Sequence, residues 1–221
     1  MAKLVPRGLY AITPDIEDTS RLLALVACAL RGGAAIVQYR NKHAAAGLKL
    51  EQASALARLC KFHGVPLIVN DSATLALQAG ADGAHLGADD GDLVSARQLL
   101  GPGRILGASC YNGLEMAQRA VEDGADYVAF GSFYPSPTKP AAVSAGLALI
   151  QQAKLAIRVP VAVIGGINTA NAAALINAGA DYLCVISALF EATDVAAAAD
   201  KYAGIFRNAE NHHPTESAGR P

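Results

Sequence analysis

Residues 66–69 (Pro-Leu-Ile-Val) lead into Asn70 and Asp71, and residues 83–87 (Gly-Ala-His-Leu-Gly) lead towards Asp89 and Asp90. Two apolar runs, each as long as a buried strand, thus deliver a carboxylate at the carboxyl end, where parallel α/β sheets keep their chemistry. A third run ends in Gln38, Tyr39, Arg40, Asn41 and Lys42. Gln38, Arg40 and Lys42 share one parity, so an extended segment points them to the same side. Inward-facing cations are costly unless an anion sits beside them. Two cations near two carboxylates suit a diphosphate with a bridging divalent metal, because Mg2+ takes one or two carboxylates together with phosphate oxygens. Two plainer readings stand beside this one. Asp71 could cap a helix that starts at Ser72 and Asp90 the next helix, and residues 38–42 could be a strand end with solvated charges.

Other polar residues also fall where apolar runs end. Gly165 and Gly166 close the seventh run, and Ile186 and Ser187 close the eighth. In eight-stranded barrels the loops there often hold a phosphate on backbone N–H groups. Glycines allow the close approach, although a tight turn alone would also need them. Residues 133–139 are too polar and Pro-constrained for a simple connection, and Ser136, Thr138 and Lys139 offer two hydroxyls and an ammonium to an anion. Ser109, closing the fifth run, is either one more hydroxyl or a turn cap. His85 reads as a core histidine with its nitrogens satisfied rather than as a catalytic base. Cys110 has no base near it in sequence, which argues against a thiol nucleophile.

The elements that must position these groups are an alternation of eight strands and eight helices. Residues 9–13, 35–40, 66–69, 83–87, 104–109, 127–131, 160–165 and 182–187 read as strands, and helical periodicity fills the intervals. Gly80-Ala-Asp82, Gly124-Ala-Asp126 and Gly179-Ala-Asp181 form an internal repeat between a helix end and a strand start, and 33–35 is a weaker copy. The glycine suits a left-handed helix stop and the aspartate a tight turn. The pattern predicts a single-domain α/β fold, a (β/α)8 TIM barrel over 1–208. A final helix is expected over about 195–207, followed by a polar, frayed tail at 209–221. With 52% hydrophobic residues, no Trp and 5% aromatics, Ala, Val, Ile and Leu are expected to fill the core. Net charge is −1, without the basic patch of a nucleic-acid binder, and no apolar stretch reaches membrane-spanning length. The four cysteines lack ligand spacing and read as reduced, mostly buried thiols of a cytoplasmic protein.

Taken together and in order, Gln38-x-Arg40-x-Lys42, Asn70-Asp71, His85-Leu-Gly-x-x-Asp90, Gly107-x-Ser109, Phe130-Gly131 to Thr138-Lys139 and Ile164-Gly-Gly-Ile167 resemble the thiamine-phosphate synthase (thiamine-phosphate pyrophosphorylase) family. The resemblance spans nearly the whole barrel. It implies a transferase that replaces the pyrophosphate of a hydroxymethylpyrimidine diphosphate by the nitrogen of a thiazole phosphate, through a pyrimidine methyl cation. By this resemblance Gln38, Tyr39, Arg40, Asn41, Lys42, Asn70, Ser109 and Lys139 would hold the diphosphate substrate. Arg40, Lys42, Ser109 and Lys139 would carry the catalysis, with Asp71 and Asp90 binding Mg2+. Ser136, Thr138, Gly166, Ile186 and Ser187 would hold the thiazole phosphate. Three positions depart from the family pattern: Ala88 for its usual Gln, Ser136 for Thr, and Tyr111 for a common His. Expected partners are these small molecules, without nucleic acid or membrane, and homo-oligomer formation is left open. A thiazole tautomerase paralogue would not need the Arg40, Lys42, Asp71 and Asp90 set. A non-catalytic barrel that binds thiamine precursors is the remaining alternative.

Overall fold

The computed structural model describes residues 7–135 and 145–212. In chain order these form β1 (Gly8–Ile12), α1 (Thr19–Arg31), β2 (Ala34–Tyr39), α2 (Ala46–His63), β3 (Leu67–Asn70), α3 (Ala73–Ala79), β4 (Gly83–Leu86), α4 (Leu93–Leu100) and β5 (Ile105–Tyr111). Then come α5 (Leu114–Glu122), β6 (Tyr127–Phe130), α6 (Leu147–Ala156), β7 (Val161–Ile164), α7 (Ala172–Asn177), β8 (Tyr182–Val185), α8 (Ser187–Phe190) and α9 (Val195–His212). The eight strands close in sequence order into a parallel barrel, β8 pairing with β1. This is the expected (β/α)8 architecture.

Three boundaries differ from the sequence reading. β2 stops at Tyr39, so strand parity orients Gln38 but does not govern Arg40 and Lys42. β8 stops at Val185, and residues 187–190 form a one-turn helix too short for periodicity to reveal. α9 continues past Arg207 to His212, because no Gly or Pro interrupts the sequence after Gly204 until Pro214. Residues 213–221 of the expected tail lie outside the described residues. Among the described residues no helix is long and apolar enough to cross a membrane.

The core has two layers. Between barrel and helices, aliphatic and alanine side chains dominate, as composition suggested. Inside the barrel, by contrast, three tyrosines stand among isoleucines: Tyr10, Tyr127 and Tyr182 are 1% exposed or less and meet edge to face at 5.9–6.4 Å. Edge-to-face contact suits the aromatic quadrupole. Space for them comes from glycine: a Cβ on Gly107 would lie 2.1 Å from Cζ of Tyr127.

The Gly-Ala-Asp repeat has a structural explanation stronger than a turn. Gly80, Gly124 and Gly179 all have positive φ, as a left-handed helix stop requires. Each following aspartate then grips the strand before it through two bonds. Asp82 N donates to Leu67 O at 2.9 Å, and its Oδ2 accepts from Leu67 N at 2.8 Å. Asp126 does the same with Leu106, and Asp181 with Val161. Ala35, in the weaker copy, has no carboxylate, and there the β1–β2 pairing slips in register. All three grips lie at the amino ends of the strands. The opposite rim is left free for polar chemistry.

Candidate active site

Asp71 follows β3 with φ +63°, a left-handed conformation that Asp tolerates better than most residues. Its N–H donates to the carbonyl of His85 in β4 at 2.8 Å, which fixes its side chain against the neighbouring strand end. Asp90 is placed by a tight loop, its Oδ2 accepting from Gly87 N at 2.7 Å. Gly87 is constrained by that contact, since a Cβ there would meet the same oxygen at 2.9 Å. The Asp90 carboxyl lies close enough to act on that of Asp71. Burial first, and then Asp90, push the Asp71 carboxyl above its ordinary range, while Lys42 and Arg40 pull it back. The four residues singled out by type and spacing therefore form one electrostatic cluster.

Neither aspartate is a helix cap. Ser72 caps α3, its Oγ accepting from Leu75 N at 3.1 Å, and Asp92 caps α4 through Ser95 N at 2.8 Å. The capping reading of Asp71 and Asp90 is thereby corrected.

Residues 40–42 are pinned by the end of β1, which sequence reasoning overlooked. The hydroxyl of Thr13 accepts from Arg40 N at 2.8 Å and donates to Arg40 O at 2.9 Å. Asp15 accepts from Lys42 N at 2.6 Å and pairs with the Arg40 guanidinium at 3.0 Å. The signal was present in sequence as a Thr-Pro-Asp run directly after a strand. A cavity of about 270 Å³ opens beside Lys42 and Asp71, lined also by Tyr39, Asn41, Lys49, Asn70, Ser72 and Leu75. Lys49 adds a cation that the motif did not include.

Tyr39 and Asn41 were counted with the ligand contacts, yet their polar atoms already have protein partners. Tyr39 donates to Gln52 Oε1 at 2.9 Å, and Asn41 Nδ2 donates to Ile16 O and Gln52 Oε1. Both are buried and brace the loop from behind. Gln38 does point into the barrel, where its Nε2 donates to Tyr10 OH at 2.9 Å. Tyr10 OH meets Tyr127 OH at 2.8 Å, Tyr127 OH meets His85 Nδ1 at 2.9 Å, and His85 Nε2 meets Ser109 Oγ at 2.9 Å. His85 is thus a core histidine with both nitrogens engaged, and burial pushes its pKa down to about 4 against a smaller opposing pull from Asp90.

On the far side, Gly165 and Gly166 have φ +106° and +59°. The close approach they permit is to the chain itself: a Cβ would overlap Ser132 Oγ at 2.0 Å or Pro135 O at 2.4 Å. Phe133 N and Tyr134 N donate to Ile164 O and Gly165 O, laying the segment after β6 along β7. Ile186 and the start of α8 close this side of the mouth, where the first N–H groups of a helix have no intrahelical acceptor. Ser136, Thr138 and Lys139 lie outside the described residues.

Two oxygen-bearing carboxylates side by side, with cations next to them, match the donor set of a Mg2+ ion that shares its coordination with phosphate. No cluster of three or more His, Cys, Asp or Glu suited to a metal occurs among the described residues. A transition-metal site of that kind is therefore not formed by them.

A closed parallel barrel whose polar groups gather at the carboxyl ends of its strands places this chain among the (β/α)8-barrel enzymes. Residues 9–189 match the family model described as thiamine monophosphate synthase. The chain belongs to that family. It is 57% identical over 201 residues to the thiamine-phosphate synthase of Thiobacillus denitrificans, covering 91% of this chain and 95% of that one. It is 51% identical over 210 residues to the enzyme of the same name from Nitrosospira multiformis, covering 95% and 89%. Among solved structures, a thiamine phosphate pyrophosphorylase from Pyrococcus furiosus superposes with a TM-score of 0.81 at 34% identity, covering 91% of this chain and 96% of that one.

Proposed function

We infer that this barrel joins a hydroxymethylpyrimidine diphosphate to a thiazole phosphate, giving thiamine phosphate and pyrophosphate. One observation carries the reading: Asp90, Lys42 and Arg40 all act electrostatically on the Asp71 carboxyl, and Lys42 and Asp71 line one cavity. A departing diphosphate needs that set of charges. A tautomerase does not.

The bond between the pyrimidine methylene carbon and the diphosphate oxygen breaks, the pyrophosphate keeping the electron pair. The thiazole nitrogen then supplies the pair for the new C–N bond. With a methylene cation as the intermediate, the protein has little general-base work to do, and most of its contribution is electrostatic. Arg40, held by Asp15, and Lys42, held at its backbone, offer fixed cations to the diphosphate. Asn70, Ser109 and Gln38 are the neutral polar groups that would complete the contacts to this substrate. Mg2+ on Asp71 and Asp90, when bound, would neutralise charge developing on the departing pyrophosphate. Ser136, Thr138, Gly166, Ile186 and Ser187 would hold the thiazole phosphate, and Lys139 would join the contacts to the diphosphate. Arg40, Lys42, Ser109 and Lys139 carry the catalytic role in this proposal.

Purified protein given both substrates and Mg2+ should release pyrophosphate, and EDTA should abolish that release. Absence of pyrophosphate at saturating substrates and metal overturns the reading.

A further inference from the structure

The five side chains that cross the barrel interior are more than packing, because their hydrogen atoms can be counted. Gln38 donates through Nε2 to Tyr10 OH. Among the described residues Tyr10 has one other polar partner, Tyr127 OH. The phenol of Tyr10 is 1% exposed, so its own proton has only Tyr127 to go to. Tyr127 OH, having accepted that proton, has one remaining partner, His85 Nδ1. It must therefore donate to it. A neutral imidazole carries a single N–H, which then sits on Nε2 and donates to Ser109 Oγ. An imidazolium would donate to Tyr127 as well, leaving the Tyr127 proton without an acceptor.

We propose that Gln38, Tyr10, Tyr127 and His85 form a hydrogen-bond relay with one direction, which holds His85 as its Nε2–H tautomer and frees the Ser109 hydroxyl proton to donate to an anionic oxygen at the barrel mouth. Tyr10, Tyr127 and His85 are positioning residues: they act on the ligand only through Ser109. Two further features agree with this role. Gly107 leaves room for the Tyr127 ring, since any Cβ there would stand 2.1 Å from Cζ, so the reach of Tyr127 to both neighbours depends on a residue two before Ser109. Run in the opposite direction, the relay would spend the Ser109 proton on His85. Only lone pairs would then face the anion, a poor match for phosphate oxygens. The choice of a diphosphate as that anion rests on the synthase reading above, whereas the direction of the relay does not.

The tautomer can be read without substrate. In a long-range 1H–15N spectrum at neutral pH, with His85 assigned by comparison with His85→Gln, Nδ1 should appear as the unprotonated nitrogen and Nε2 as the protonated one. A protonated Nδ1 reverses the relay and overturns the proposal, whatever the activity of the enzyme. The second arm uses inorganic pyrophosphate with Mg2+ as the probe. Ser109→Ala should weaken its binding by about tenfold, the loss of one hydrogen bond to a charged group. Tyr127→Phe should weaken it by several-fold and let His85 sample both tautomers, and the double variant should bind no more weakly than Ser109→Ala. Multiplying losses, or full affinity with an unchanged tautomer in Tyr127→Phe, would show that Tyr127 only packs. Should Tyr127→Phe fail to fold, the tautomer in the unmodified protein settles the direction on its own.

Discussion

At Asp71 a left-handed backbone and a carboxylate neighbour impose two local costs, and neither contributes to capping. Strain retained at a rim position is characteristic of a functional site. Asp71→Asn should therefore lower turnover by about 100-fold, while the melting temperature of the metal-free protein stays the same or rises. A large drop in stability with normal turnover would mark the residue as structural. The pH dependence follows with its sign. Because the folded protein holds the Asp71 proton more tightly than the unfolded chain, its ionisation destabilises the fold above the raised folded pKa. That penalty is relieved as pH falls from there towards the ordinary value of 3.8. Urea midpoints in EDTA for the wild type and Asp71→Asn should converge over that window. Spacing alone brought Asp71 and Asp90 into view, but it could not separate ligand from cap. In the fold, Ser72 and Asp92 do the capping. The roles of Thr13 and Asp15 were hidden because they act on a loop 25 to 27 residues further along the chain.

The barrel's elements divide their work between two rims. At the amino ends, Asp82, Asp126 and Asp181 each tie one strand to the next through one backbone bond and one bond accepted by the carboxylate. Asp126 also meets the Arg97 guanidinium, which in turn donates to the carbonyls of Gly124, Gly101 and Arg104. Asp126→Ala would orphan the buried Leu106 N–H and leave a largely buried cation unpaired, at a cost of about 3 kcal/mol. Asp82→Ala orphans the buried Leu67 N–H in the same way but leaves no cation unpaired, at about 1–2 kcal/mol. Urea denaturation should resolve the two, with turnover of the folded enzyme unchanged in both. Equal losses would mean that the Arg97 pair contributes nothing. The eight strands were legible because each is a short apolar run bounded by turn residues, and the Gly-Ala-Asp repeat marked where four of the helices end. What the repeat's aspartate binds was not legible, since its partner belongs to the previous strand. The four-residue α8 and the last turn of α9 escaped for lack of a period or a stop signal.

Across the whole molecule, composition suggested an aliphatic centre, but the barrel axis carries a polar chain of tyrosines and a histidine that ends at the mouth. Such an interior ties stability to protonation. His85 titrates near pH 4 in the fold because burial disfavours its charged form, against 6.5 in an unfolded chain. The unfolded state therefore takes up the proton first. The stability that neutral His85 provides is fully present above about pH 6.5 and is lost as pH falls towards 4, on the order of 3 kcal/mol across the window. Asp71 runs the other way, gaining as its carboxyl is protonated. Removing each group separately exposes the opposition. His85→Gln should flatten the fall in urea midpoint between pH 6.5 and 4, and Asp71→Asn should steepen it. If His85→Gln loses stability in parallel with the wild type over that range, acid sensitivity arises elsewhere in the protein, and the buried histidine is not what couples the barrel's interior to pH.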